Sequence, residues 1–196
     1  KRQYQYISEK YPEVEVKFDT EKIKLTTIDI EVASENGFPD VESCAEEVLL
    51  ITLQDYATKQ IRTWGRGAFN NKQDNVIYKG FNTEYELLTD FIHWWMIEDN
   101  TPEVITGWNS KLYDIPYLCR RIDRILGEKL KKRMSPWGLV TEEETYISGR
   151  KHLSYDIGGV SQLDYLDLYK KFTYKAQESY RLDYIASVEL GQKKLD

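Results

Sequence analysis

Alternating apolar and polar side chains predict a strand in the segment KIKLTTIDIEV. One face of this strand carries Ile28, Ile30 and Val32. The other face carries Thr27 and two carboxylates, Asp29 and Glu31, because successive side chains of a strand point to opposite faces. Two like charges on one face repel each other, so we expect a compensating group nearby.

Four further segments have strand character. EVLLITLQDY (47–56) and QIRTW (60–64) are two strands joined by a short turn at 57–59, NVIYKG fits a fourth strand, and EVITGW is a short buried one. ENGFPD ends the first strand with Asn, Gly and Pro.

Helical spacing predicts two helices between and after these strands. The first begins near Thr83, which forms a capping-box pattern with Glu86, and it continues with apolar residues at helical intervals. The second follows the loop NSKLYD, has Pro116 in its first turn and ends at Gly127. Its predicted inner face consists of Ile115, Leu118, Ile122 and Ile125.

The last third of the chain predicts a loop with short strands, then two more helices. QLDYLDLYKKF is the end of a strand that runs into a helix, and SYRLDYIASVEL is a helix with Ser179 as N-cap and Gly191 as its stop. Strands and helices therefore alternate, which favours an α/β fold with a mixed sheet. Residues 1–21 are polar and rich in tyrosine, and we interpret them as the tail of a preceding domain, with a single domain over 22–196.

Composition narrows the chemistry of this domain. The whole chain has 196 residues, 41% of them hydrophobic, and it contains no apolar run near the ~18 residues of a membrane span. The only cysteines and histidines are Cys44, Cys119, His93 and His152, which excludes a disulfide framework and argues against structural zinc. A bound metal would therefore have carboxylate ligands, which favours Mg²⁺ or Mn²⁺, and a cytoplasmic location is the simpler expectation.

Charge leaves the class of partner open. The net charge of −6 argues mildly against a nucleic-acid partner, yet basic residues cluster in EKLKKR and recur at 170–171 and 193–194. A solvated helix end is an equally good interpretation of each basic run. An acidic pocket that binds cations is also compatible with an enzyme that acts on nucleic acids.

A second acidic site follows in the segment TGWNSKLYDIPYL. Asp114 precedes a helix, where Asp is a favoured N-cap, but crevices at strand ends are also where α/β folds place ligands. Asn109 lies in the same loop, and Trp108 and Tyr113 could pack or stack there. Both interpretations of Asp114 stay open on spacing alone, as does a plain surface role for the Asp29–Glu31 pair.

Taken in order, these segments resemble family B DNA polymerases of T4-like bacteriophages. DIEV and GWNSKLYDIPYL are similar to the first two exonuclease motifs of that family, and the second has Tyr113 where Phe is commoner. GFP after the first motif and the later LDYLDLYKKF and SYRLDYI extend the similarity over roughly residues 20–190.

This resemblance implies an RNase H-like, DnaQ-like exonuclease fold with a central mixed sheet flanked by helices. It also implies a proofreading 3′→5′ exonuclease domain that hydrolyses the 3′-terminal phosphodiester of single-stranded DNA with two divalent metals, Mg²⁺ or Mn²⁺. Asp29, Glu31 and Asp114 would be its catalytic metal ligands. Asn109, Trp108, Tyr113 and Phe38 would contact the DNA, Phe38 by stacking, although covering the core is an equal alternative for that residue.

The family's fourth carboxylate comes in a third motif, Tyr-x-x-x-Asp or His-x-x-x-Asp, which the expected order places after SYRLDYI. His152 and Asp156 fit the second form but precede that segment, so we interpret them as a chance match in a strand or hairpin. With three of the four ligands, the second metal lacks its full coordination. The alternative function is a catalytically incomplete scaffold that binds DNA or the remaining polymerase segment, whether in the same chain or separately encoded, in the cytoplasm of the phage's host.

Overall fold

The computed structural model describes residues 9–10, 19, 22–35, 37, 39–147 and 149–191. Its centre is a six-stranded sheet with the order β4-β3-β2-β1-β5-β8. The bounds of these strands are β1 Leu25–Val32, β2 Val48–Asp55, β3 Ile61–Arg66, β4 Val76–Phe81, β5 Val104–Gly107 and β8 Ser161–Asp164. β2 runs antiparallel to β1 and β3, whereas the pairs β1–β5, β5–β8 and β3–β4 are parallel. The predicted mixed sheet is confirmed.

The remaining strands form a separate hairpin of β6 (Val140–Ile147) and β7 (Arg150–Ile157). From residue 22 onward, the α-helices of the described residues are α1 Glu84–Trp95, α2 Asp114–Leu126, the single turn α3 Glu128–Lys131, α4 Tyr165–Phe172 and α5 Leu182–Leu190. None of the described helices is both long and apolar enough to cross a membrane.

The hydrophobic core lies on the face of the sheet that α1 and α2 cover. Ile28 and Ile30 of β1 face it and are 2% and 5% exposed, while Thr27, Asp29 and Glu31 are exposed on the other face, as the alternation predicts. The predicted inner face of α2 is buried except for Ile125, which is half-buried. Trp64 of β3 meets Phe91 of α1 edge-on, with ring centroids 5.2 Å apart.

A buried ion pair joins α1 and α2. Arg121 Nε donates to Glu84 Oε1 at 2.8 Å, and both side chains are 5% exposed. Glu84 Oε1 also accepts from the N–H of Val48 at 2.9 Å, and Arg121 Nη1 donates to the carbonyls of Cys44 and Ala45. The pair therefore fastens both helices to the start of β2 and to the segment before it.

Helix ends confirm one prediction and correct another. Thr83 caps α1 with the complete capping box: its hydroxyl accepts from Glu86 N–H, and the Glu86 carboxylate accepts from Thr83 N–H. The prediction of Ser179 as the N-cap of α5 is wrong, because that helix starts at Leu182 after Arg181 and has no side-chain cap. Ser179 Oγ instead accepts from Arg181 N–H within the turn before the helix, whereas Gly191 ends the helix with φ 64° as expected.

Candidate active site

The two carboxylates of β1 lie in an open cleft on the sheet face opposite the core. The cleft has a volume of about 770 Å³, and its walls come from β1, the end of β5 and the start of α5. Asp29 and Glu31 contribute to it from β1, and Arg181 and Asp183 from the start of α5. The predicted carboxylate pair is therefore accessible to a ligand that enters from solvent.

Asp114 lies behind this cleft rather than on its wall. The side chain is 5% exposed and, among the described residues, it is absent from the cleft lining. Asp114 Oδ1 accepts from the backbone N–H of Ile30 at 3.0 Å, so the first residue of α2 is tied to β1 between the two carboxylates of that strand. Asp114 is thus near enough to Asp29 for the negative charge of Asp29 to raise its pKa.

The alternative interpretation of Asp114 as a helix cap is wrong. Asp114 is already the first helical residue, the N-cap is Tyr113, and no side chain caps that end. The Ile30 N–H is left to the carboxylate because the parallel pairing of β1 with β5 stops at Thr27 and Thr106, short of Ile30. A side chain thus satisfies a backbone donor that the neighbouring strand no longer reaches.

Burial raises the pKa of Asp114 to about 7. The hydrogen bond from Ile30 lowers this pKa, but the negative charges of Asp29 and Asp164 raise it further. Burial also raises the pKa of Tyr113 to about 12, and the charges of Asp114 and Glu31 act in the same direction. Burial and the nearby negative charges therefore both disfavour the ionised form of Asp114.

The loop between β5 and α2 contains three of the four residues predicted to contact DNA, Trp108, Asn109 and Tyr113. Asn109 adopts a left-handed backbone conformation with φ 63°, which Asn tolerates better than most residues. Its N–H donates to Asp164 Oδ1 at 3.0 Å, and its carbonyl accepts from the N–H groups of Leu112 and Tyr113. Gly107, just before this loop, has no room for a side chain, since a Cβ there would lie 2.7 Å from the Ile28 carbonyl oxygen.

Trp108 belongs to an aromatic cluster beside the cleft. Its ring centroid lies 6.1 Å from that of Tyr165 and 5.9 Å from that of Tyr169, and its Nε1–H donates to the Tyr180 carbonyl at 3.1 Å. Tyr113 packs against Tyr117 with centroids 5.8 Å apart. Both predicted contact residues therefore pack against protein and are half-buried, and their contact with DNA stays a prediction.

Two predictions remain, one on Phe38 and one on the pair of His152 and Asp156. Phe38 lies outside the described residues, so its stacking role stays a prediction. His152 lies in β7 of the separate hairpin, paired with Thr145, and Asp156 of the same strand is exposed. The interpretation of these two residues as a match within a hairpin agrees with this position.

The carboxylates are suitable ligands for a hard divalent cation, but the described residues do not form a complete set of metal ligands. Exposed Asp29 and Glu31 offer oxygen atoms, the kind of ligand that Mg²⁺ and Mn²⁺ prefer. Among the described residues, no group of three or more His, Cys, Asp or Glu side chains is arranged to hold a metal ion. The Asp114 carboxylate is bonded to Ile30 instead, although the repulsion that raises its pKa is of the kind a cation relieves.

Sequence reasoning missed one residue of this site. Asp164 is 6% exposed and accepts N–H groups from both the 108–113 loop and α4. In the sequence, Asp164 is an acidic residue beside the aromatic Tyr165, and no role followed from that alone. A usable signal was its place at the carboxyl end of a parallel strand, where α/β folds collect functional side chains.

Comparison with known proteins is consistent with this geometry. The family model described as DNA polymerase family B, exonuclease domain, matches residues 2–185. The chain is 34% identical to the DNA-directed DNA polymerase of Escherichia phage RB69. The aligned region covers 97% of this chain and 24% of that polymerase. For the DNA-directed DNA polymerase of Enterobacteria phage T4, the identity is 33% with the same coverage of 97% and 24%.

More distant relatives extend the same family. The DNA polymerase catalytic subunit of human herpesvirus 6A is 33% identical over 86% of this chain and 17% of that subunit. The chain thus spans about a quarter of the length of the phage polymerases that it matches, 24% in each case. Exonuclease domains of this family are RNase H-like, so the predicted fold class is confirmed.

Proposed function

Because the chain belongs to the exonuclease domain family of family B DNA polymerases, we propose that it is the proofreading 3′→5′ exonuclease domain of a phage-type polymerase. Its substrate is the 3′ end of single-stranded DNA, and it acts in the host cytoplasm together with the remaining polymerase domains. The observation that carries the proposal is the position of Asp29 and Glu31 in an open cleft beside Asp114.

Asp29, Glu31 and Asp114 would hold the divalent cations that this hydrolysis requires. A bound Mg²⁺ or Mn²⁺ supplies Lewis-acid stabilisation of the reacting phosphate and lowers the pKa of a bound water. The chain's own contribution is to place Asp29 near Asp114: burial raises the pKa of Asp114, the charge of Asp29 raises it further, and a bound cation would offset that repulsion. Asn109, with Trp108, Tyr113 and Phe38, would hold the terminal nucleotides.

Digestion of single-stranded DNA labelled at its 5′ end tests the proposal. With Mg²⁺ or Mn²⁺, we expect the DNA to shorten stepwise from its 3′ end, and Asp29→Ala to lower the rate at least 100-fold. Asp74→Asn, which changes an exposed carboxylate in the turn before β4, is the matched control and should cleave as the parent chain does. Cleavage that is insensitive to Asp29→Ala, or that proceeds from the 5′ end, would contradict the proposal.

The second candidate is a catalytically incomplete scaffold that binds DNA or another polymerase segment. The observation that favours it is the incomplete set of metal ligands among the described residues, in which the Asp114 carboxylate is bonded to Ile30 N–H. A longer version of the protein, carrying downstream sequence, separates the two functions. If the longer protein cleaves in an Asp29-dependent manner and residues 1–196 do not, the scaffold function describes the shorter chain.

A further inference from the structure

The buried carboxylate of Asp164 accepts three backbone N–H groups at the junction of β8 and α4. Oδ1 accepts from Leu166 at 2.9 Å, and this bond caps α4. Oδ1 also accepts from Asn109 at 3.0 Å, and Oδ2 accepts from Lys111 at 2.9 Å. The first bond is what any Asp cap makes, whereas the other two reach a loop more than fifty residues earlier in the chain.

The loop that Asp164 grips is the one that delivers Asp114 to the site. β5 lies between β1 and β8 in the sheet. After Gly107 the chain first bonds Asp164 at the end of β8 and then, through Asp114, bonds Ile30 of β1. Asn109 O accepts from Leu112 N–H at 3.2 Å and Tyr113 N–H at 3.1 Å, and the carbonyl of the next residue accepts from Ile115 N–H at 2.9 Å. The backbone of Asn109 and its neighbour therefore sets where α2 begins, and Asp114 is the first residue of that helix.

The strained part of this loop is the part that Asp164 holds. Asn109 has a φ of 63°, a conformation that costs free energy for a residue with a side chain and persists only where its surroundings enforce it. Its N–H is one of the three that the Asp164 carboxylate accepts. A carboxylate suits this task better than an amide, because both of its oxygens are acceptors and its charge strengthens each bond.

We propose that Asp164 is a positioning residue for the nuclease site, which holds the 108–113 loop so that Asn109 and Asp114 take up their places beside the cleft. This role rests on the proposed nuclease function only for its catalytic consequence. The structural consequence is a chain of contacts from Asp164 through the loop to Asp114 and then to the N–H of Ile30 in β1.

Amide hydrogen exchange, measured by NMR on the metal-free chain, tests the structural consequence. In Asp164→Ala we expect the protection factors of the Asn109 and Lys111 amides to fall at least tenfold. The protection factor of the Ile30 amide, which Asp164 does not touch, should fall with them. Asp164→Asn retains one acceptor oxygen, so Asn109 should stay protected while Lys111 does not. Asp167→Asn, an exposed carboxylate in the first turn of the same helix, should change neither.

The outcome that overturns the proposal is specific. If Asp164→Ala exposes only the amides at the start of α4 and leaves Asn109, Lys111 and Ile30 as protected as before, the residue is a helix cap and nothing more. Should the Ala variant fail to fold, the Asn variant decides by the same comparison of Asn109 with Lys111. None of these measurements depends on nuclease activity.

Cleavage of single-stranded DNA tests the catalytic consequence. We expect kcat to be highest in Asp167→Asn, lower in Asp164→Asn and lowest in Asp164→Ala. The kcat of the Ala variant should be about 100-fold below that of the parent, because misplacing a reacting group by about 1 Å has an effect of that size. A folded Ala variant that cleaves at the parental rate would contradict this. If the parent itself does not cleave, the proposed function fails, while the exchange data still decide the role of Asp164.

Discussion

At the scale of single residues, the site depends on a buried carboxylate that the protein keeps at a high pKa. Asp114 is 5% exposed, is bonded to one backbone N–H and lies near the charge of Asp29. In the unfolded chain it ionises near its usual value of 3.8, whereas in the folded protein its pKa is about 7. In the absence of a cation, Asp114 in the folded protein must therefore either keep its proton or carry a buried negative charge at a cost in stability.

The first prediction concerns the pH dependence of stability. Between about pH 4 and about pH 7, the unfolded chain releases the Asp114 proton and the folded chain keeps it, so the free energy of unfolding falls as the pH rises. Asp114→Asn cannot ionise and keeps an acceptor for Ile30 N–H. We expect the variant to unfold like the parent near pH 4 and to be more stable by up to roughly 4 kcal/mol near pH 8.

Urea unfolding of both proteins across this range, without divalent cations, measures the difference. Taking the difference cancels every other titrating group that the two proteins share. A parent that is as stable as Asp114→Asn at pH 8 would show that Asp114 ionises in the folded protein as it does in the unfolded chain. The same variant should lose the proposed nuclease activity, which separates stability from function.

Sequence alone predicted which side chains of β1 face the cleft, and it failed to predict where Asp114 points. The alternation around Asp29 and Glu31 is local, because the period of a strand assigns each side chain to a face without knowledge of its neighbours. The Asp114 bond joins residues 84 positions apart, and it exists only because β5 ends short of Ile30. The bonds of Asp164 to the 108–113 loop are non-local for the same reason.

At the scale of elements, the start of α1 shows how a local signal fixes a boundary. The Thr83 hydroxyl and the Glu86 carboxylate each bond the other's backbone N–H. The second prediction is that Thr83→Ala lowers the free energy of unfolding by about 1 kcal/mol, because one N–H of the first turn loses its acceptor. Thr83→Ser retains the hydroxyl and should unfold as the parent does; an Ala variant equal to both would show that the cap contributes nothing.

The same reasoning failed at α5, where Ser179 has the right residue type two positions before the actual N-cap, Arg181. Its hydroxyl bonds Arg181 N–H in the preceding turn, so the helix begins later, at Leu182. Ser and Asp bond nearby backbone in several local geometries, and only the surrounding packing selects one. The hairpin strands β6 and β7 were also longer than predicted, eight residues each, because pairing to a partner is not visible in a polar segment such as TEEETY.

The third prediction concerns the ion pair that joins α1 to α2. Arg121→Met leaves the Glu84 carboxylate buried without its cation, and removing one partner of a buried pair costs about 3–5 kcal/mol. Arg124→Met is the matched control on the same helix: Arg124 is exposed, yet it also bonds the Cys44 carbonyl. We expect the control to cost less than about 1 kcal/mol. Equal losses in denaturant unfolding would indicate that the bonds to the Cys44 segment, rather than the ion pair, stabilise the junction.

At the scale of the whole molecule, the strand order explains why residues distant in sequence lie in or near one cleft. β1 is central, with β2 antiparallel on one side and β5 and β8 parallel on the other, so the ends of three parallel strands lie at one edge. Asp114 and Asp164 follow or end strands at this edge, and Asp29 and Glu31 lie on the strand beside them. Alternating elements predicted the α/β class, but the order of strands depends on long-range pairing that a periodic pattern does not specify.

The fourth prediction is that divalent cations stabilise the folded protein. The chain carries a net charge of −6, Asp29 and Glu31 line the cleft, and the charge of Asp29 also acts on Asp114, so a bound cation would offset their repulsion. Binding to the folded state alone, at a concentration 100 times Kd, adds about 2.7 kcal/mol, which for a chain of this size raises Tm by roughly 5–11 °C. The shift should be larger near pH 8 than near pH 5.5, because below its pKa of about 7 Asp114 holds a proton that competes with the cation.

Thermal unfolding with Mn²⁺, and with NaCl at matched ionic strength, separates binding from screening. Asp29→Asn should abolish most of the shift, because it removes a ligand from the cleft, whereas Asp74→Asn removes the same charge from an exposed turn and should keep it. If NaCl reproduces the shift, or if both variants retain it equally, the cation acts on the net charge and not at the cleft. A shift that depends on Asp29 and grows with pH, by contrast, requires that the exposed carboxylates of β1 and the buried one of α2 act on a single ion.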